Sequence, residues 1–222
     1  MSRSRHFQLF FSGILSLFLI QVHLSAAPTL DDVLNNLKIK ETQVKSLELS
    51  FTQDIKFTEM TTGSSSKGKV TFLKPNKMRL QKLSPDQQTI VTDGKQVWVY
   101  NPAFSQVWKG KWKDWNSASF IPQGLIPVDG YTKDLQKNFD LTLRPSHENS
   151  EVTLKATPKN NHIDYSLEIL ISTVSWYPIK TFYRSSTAEI VTQFSEVKEN
   201  APVSPALFLF IPPKGTEIIS LN

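Results

Sequence analysis

The feature that most constrains this chain is its punctuation. From Leu47 onward, apolar and polar residues alternate in short runs, and Pro, Gly, Asn or Asp ends most of them. Alternation with a period of two sends successive side chains to opposite faces of a strand. Leu47, Leu49, Phe51, Ile55 and Phe57 share one face of a long first strand, with Glu48, Ser50, Thr52 and Lys56 on the other. A polar loop is expected over Thr61 to Gly68. Short strands are then expected at Val70–Leu73, Met78–Leu83, Thr89–Thr92, Val97–Tyr100 and Phe104–Trp108. They resume at Phe139–Leu143, Val152–Ala156, Tyr165–Ile171, Tyr177–Tyr183 and Ile190–Val197, with a last one at Leu207–Phe210. About a dozen strands at this spacing point to a mainly β barrel or sandwich.

A single helix precedes them. Thr29 can cap it, and Asp32 three residues later completes a capping box. Leu30, Val33, Leu34, Leu37 and Val44 follow in one apolar stripe. Between Lys111 and Asn138 the alternation fails. Trp112, Trp115, Phe120, Ile121, Leu125 and Ile126 stand among Pro122, Gly124, Pro127 and Gly130. One or two short helices fit this stretch, with Leu135 and Phe139 leading back to the sheet. No repeat, linker or shift in composition divides the chain, so residues 28–222 are expected to form one domain.

Residues 1–27 have the marks of a secretory signal peptide. Arg3 and Arg5 are basic, an apolar run extends from Phe7 to Leu24, and Ser25-Ala26-Ala27 offers small residues for cleavage. Cleavage after Ala26 is an alternative, since Pro28 would otherwise stand at +1. Loss of Arg3 and Arg5 leaves 23 basic against 20 acidic residues, a net charge of +3. Lys67, Lys69, Lys74, Lys77, Arg79 and Lys82 form one basic group, and Lys109, Lys111 and Lys113 another. They read either as a solvated face or as a docking surface for an acidic partner or anionic head groups. No nucleic-acid motif accompanies them. Later apolar runs are too short to span a bilayer, so a soluble protein outside the cytoplasm is expected.

The chain has no cysteine. That excludes disulfides, thiolate metal sites and a lipid-modified N-terminal cysteine. After cleavage only His147 and His162 remain of the histidines, both in polar turns without metal-ligand spacing. Asp31 and Asp32 suit a helix start. Asp129 and Asp134 read as surface carboxylates. There is no GxSxG, phosphate loop or HExxH, and no constellation for acid–base or nucleophilic work, so neither an enzyme nor a cofactor is expected.

Surplus apolar surface is the stronger signal. Asp93-Gly94 suggests a type I′ hairpin. The four residues Val97, Trp98, Val99 and Tyr100 then put apolar side chains on both faces of one strand. Either an ordinary packed core or a bound apolar ligand covers the second face.

The stretch from Gly68 to Pro102, GKVTFLKPNKMRLQKLSPDQQTIVTDGKQVWVYNP, resembles the outer-membrane lipoprotein carrier protein family, LolA. So do the preceding SFTQ, Ser50 to Gln53, the following Gln106-Val107, and the ending PALFLFIPPKG, Pro205 to Gly215. The resemblance implies an unclosed, strongly curved antiparallel β-barrel with an α-helical lid over an apolar cavity. It implies a monomeric periplasmic carrier of acylated lipoproteins, loaded by an inner-membrane ABC transporter and unloaded at an outer-membrane receptor, with no catalysis. Leu34, Leu37, Met78, Leu80, Trp98, Tyr100, Phe120 and Leu125 are the expected cavity lining. Lys74 stands where the family commonly has a lid-holding arginine, and is the expected latch. A same-fold module that binds another lipid or senses lipoproteins, outside the general sorting route, and a purely structural domain are the alternatives.

Overall fold

The computed structural model describes residues 27–60, 62–115, 130–146, 148, 150–160 and 165–220. Helix α1, Leu30–Gln43, starts at Thr29, whose side chain accepts from the Asp32 amide while the Asp32 carboxylate accepts from the Thr29 amide. The Thr29 hydroxyl also donates to the Asp32 carboxylate, and this bond first, then the one from the Thr29 amide, holds the Asp32 carboxyl below its ordinary value. Strands β1 (Ser46–Phe57), β2 (Ser64–Leu73), β3 (Lys77–Ser84), β4 (Gln88–Thr92), β5 (Gln96–Asn101) and β6 (Gln106–Lys111) follow. Two short helices, α2 at Trp112–Trp115 and α3 at Tyr131–Asn138, occupy the described part of the irregular segment. Then come β7 (Phe139–Pro145), β8 (Glu151–Pro158), β9 (Tyr165–Ser172), β10 (Pro178–Ser185), β11 (Ala188–Glu199) and β12 (Glu217–Ser220).

The twelve strands form one sheet in the order β12-β6-β5-β4-β3-β2-β1-β11-β10-β9-β8-β7. All pairs are antiparallel except β12 with β6. β7 and β12 stand at opposite edges, so the sheet is open, as expected of an unclosed barrel. Register shifts at Glu48/Ser50, Lys67/Gly68 and Pro178/Lys180 add the local bend and twist that curl such a sheet.

One face of this sheet carries both apolar clusters. Under α1 and α3, Val33, Leu34, Leu37, Tyr131 and Leu135 pack on Val152, Leu154, Ile169 and Ile171. On the other half, Phe51, Val70, Met78, Leu80, Ile90, Val97 and Val99 pack together, with Trp112 of α2 against them. The register proves the common side: Phe51 faces Phe194 across β1 and β11, Thr192 faces Thr181, Thr181 faces Ile169 and Ile169 faces Leu154. We call this the inner face.

Trp98 and Tyr100 alternate with the inward Val97 and Val99, so they lie on the outer face. The C-terminal segment covers that face. Tyr100 and Phe210 rings meet at 5.8 Å, the Arg79 guanidinium donates to the Leu207 carbonyl, and Phe208 is buried. The expected strand at Leu207–Phe210 is instead a short 3-10 turn, Pro205–Phe208, running into extended chain. Its alternation is real but serves packing against a sheet face; the pairing strand comes later, at β12.

Three other local expectations change. Ser64 to Gly68 is strand rather than loop, because Phe51 to Ile55 of β1 bond along it and override its polar composition. Phe104 lies in a 3-10 turn, Pro102–Phe104, capped by the Asn101 side chain. The β4–β5 turn is not type I′, since only Gly94 of the pair has a positive φ. The Asp93 carboxylate closes it instead, accepting from the amides of Lys95 and Gln96.

Candidate functional site

The candidate site is the inner face beneath α1. Leu34 and Leu37 project from α1 toward β8 and β9, while Met78 and Leu80 belong to the other inner cluster. All four are buried. Trp98 and Tyr100 are not with them: strand alternation puts them on the outer face. Phe120, Leu125, Asp129, His147 and His162, with the expected signal peptide up to Ala26, lie outside the described residues.

Polar contacts tie the C-terminal end of α1 to its surroundings. The Lys74 ammonium, at the β2–β3 hairpin, donates to the Glu41 main-chain carbonyl. A lysine here thus reaches one of the carbonyls that the end of a helix leaves without an intrahelical partner. The Glu41 carboxylate reaches the other way. It accepts from the amides of Gly130 and Thr132 and so caps α3, which has no side-chain cap of its own. Lys40 pairs with Glu199 of β11 at 2.9 Å and lies over the Tyr177 ring. The Asn200 side chain accepts from the Lys45 amide and donates to the Gln43 carbonyl.

Val44, Leu47, Leu49, Tyr131, Tyr177 and Phe194 line a small, partly open apolar cavity beside these ties, about 40 Å³. Burial, then the Glu41 carboxylate, pushes the Tyr131 phenol well above its ordinary value. Burial, then Glu199, does the same to Tyr177. Both phenols therefore stay neutral against the cavity. A second space of about 330 Å³ opens at the far end of the inner face, between Val99, Phe104 and Trp108, with Gln88, Asn101 and Gln106 beside them. Phe104 is 71% exposed there.

Several of these residues gave no signal in the sequence. Nothing in the sequence singles out Glu41, Lys40, Glu199 or Asn200 among the other polar residues. The partners of their side chains lie 89 to 159 residues away and meet them only in the folded chain.

Fold and site thus define an open β-sheet whose apolar inner face is closed by a small, tethered helical cover. Residues 42–211 match the family described as outer membrane lipoprotein carrier protein LolA, and the chain belongs to that family. An outer-membrane lipoprotein carrier protein of Coxiella burnetii (strain CbuK_Q154) is 27% identical over 186 residues, which cover 80% of this chain and 85% of that one. One of Nitrosomonas europaea is 27% identical over 207 residues, 93% of this chain and 98% of that one. Among solved structures, an uncharacterized conserved protein from Thermus thermophilus aligns with a TM-score of 0.56 at 12% identity. The alignment covers 86% of this chain and 98% of that one, and this likeness is one of fold.

Proposed function

We propose that this protein is a monomeric periplasmic carrier of acylated proteins, which takes them from an inner-membrane ABC transporter and delivers them to the outer membrane. The observation that carries the reading is the inner face itself: two apolar clusters on one side of an open sheet, one of them under a helix fastened at its end by a few polar contacts.

The magnitudes fit reversible loading. A chain of about 16 carbons at about 0.8 kcal/mol per CH₂ costs on the order of 12 kcal/mol to hold in water. Val33, Leu34, Leu37 and Val44 are the buried apolar residues that α1 and its C-cap contribute. At about 1.5–3 kcal/mol each, their burial is worth about 6–12 kcal/mol, an upper figure. Helix and acyl chain therefore compete for the same surface on nearly equal terms. The polar ties decide between closed and open. No residue is given a catalytic role, and Lys74 is the latch.

The test is displacement of a hydrophobic dye by a diacylated lipopeptide, with native mass spectrometry of protein gently isolated from its own periplasm. Displacement, and an acylated protein travelling with the carrier, are expected. A dye that stays bound at saturating lipopeptide refutes the reading.

A further inference from the structure

Four buried polar residues of the inner face stand together, while Thr92, which accepts from the Gly94 amide at the β4–β5 turn, lies apart from them. Ser66 of β2 stands opposite Gln53 of β1, Gln53 opposite Thr192 of β11, and Thr192 opposite Thr181 of β10. These four side chains form one line across four adjacent strands, at exposures of 8%, 5%, 0% and 0%. Apolar residues border the line on both sides. Phe51 and Phe194 face each other in the row toward α1, while Ile55, Ile190 and Tyr183 form the row beyond. The cavity under α1 ends on Leu49 and Phe194, and Thr192 is the next inward residue of β11 past Phe194. The polar line therefore lies across the middle of the apolar surface, one row beyond the cavity.

Thr192 and Thr181 have no packing advantage over valine, which has the shape of threonine and which the same face uses at Val70, Val97, Val99 and Val152. What they add is hydrogen-bonding capacity. The Gln53 amide donates to the Thr192 hydroxyl at 2.9 Å. A hydroxyl that accepts one bond still has its own hydrogen to donate. Gln53 belongs to the SFTQ stretch, so this is the one inward polar residue of that motif.

Acyl chains joined to glycerol carry an ester carbonyl at the head of each chain. The carbonyl accepts hydrogen bonds and has none to give, and inside an apolar site it loses its water. We propose that the Gln53–Thr192–Thr181 line is a polar subsite for these esters. The Thr192 hydroxyl, held by Gln53 and flanked by Thr181, donates to an ester carbonyl oxygen while the chains lie along the apolar rows. This inference rests on the carrier reading and names which part of the cargo the site recognises.

The test compares two diacyl lipopeptides of equal chain length, one ester-linked and one ether-linked, by displacement of a hydrophobic dye. The wild type is expected to bind the ester form about tenfold more tightly, the effect of one hydrogen bond in a dry site. Thr192→Val is expected to bring the ester affinity down to that of the ether and leave the ether affinity unchanged. Equal affinities in the wild type overturn the inference, whatever the variant does, and so does a preference that survives Thr192→Val. If neither lipopeptide displaces the dye, the carrier reading itself fails, and the inference with it.

Discussion

Removing the Lys74 side chain should loosen the cover without damaging the surface beneath it. The perturbation is local: Lys74 is half-buried, and its ammonium donates to the Glu41 carbonyl at the end of α1. A hydrogen bond from a charged donor is worth about 1.5–3 kcal/mol, and partial exposure puts this one at the low end. At about 1.5 kcal/mol the closed–open ratio changes about tenfold. Lys74→Ala is therefore expected to speed loading and release of a fluorescent diacyl lipopeptide by about tenfold in stopped-flow exchange. Lys74→Arg is expected to slow both, because a rigid fork of five donors can satisfy more than one carbonyl at the helix end. Identical exchange rates in all three proteins would refute the reasoning and make Lys74 a solvated lysine.

Glu41→Ala should unfasten α3 by removing the side chain that caps it, at about 1 kcal/mol, and raise hydrogen exchange over Tyr131–Asn138; protection equal to wild type would contradict this. Alkali should open the cover. Tyr131 and Tyr177 titrate in the folded chain above their ordinary value of 10.0. The neutral phenols are thus favoured by folding, their contribution is whole below about pH 10, and it is lost as pH rises through the window above. Tyrosinate absorbance rising together with dye access above pH 10 is expected, and dye access flat across that window would count against it. Gly68→Ala should lower the melting temperature, because a Cβ there would meet the Phe51 ring at 2.5 Å and the Gln81 carbonyl oxygen at 2.6 Å. A loss of about 1–3 kcal/mol corresponds to roughly 2–12 °C for a chain of this size, and an unchanged melting curve would show that the backbone gives way. Phe210→Ala should cost stability through its contact with Tyr100 but leave lipopeptide affinity intact; lost affinity would mean that the outer face takes part in binding.

What the sequence revealed was local. Thr29 and Asp32 are three residues apart, so the capping box could be read directly. The alternation of Val97 to Tyr100 announced two apolar faces. It could not say which face is inner, because the cover of the other is Phe208 and Phe210, more than a hundred residues later. Trp98 and Tyr100 were therefore expected on the wrong side. Ser64 to Gly68 looked like a loop for a related reason: its strand conformation comes from the backbone of β1 and not from its own side chains. Leu34, Leu37, Met78 and Leu80 were legible as apolar periodicity. Glu41 and Asn200 were not, since a charge that caps another helix looks in the sequence like any solvated charge.

The reading stands or falls on acyl chains lying along the inner face of the sheet, from the cluster under α1 to the one beside α2. Photo-crosslinking tests it most directly, with a diacylated lipopeptide bearing a diazirine in its acyl chain and the adducts mapped by mass spectrometry. The account predicts labelling of inner residues such as Leu37, Met78, Leu80, Val99 and Phe194. Labelling confined to Trp98, Tyr100, Leu209 or Ile211 on the outer side would contradict it.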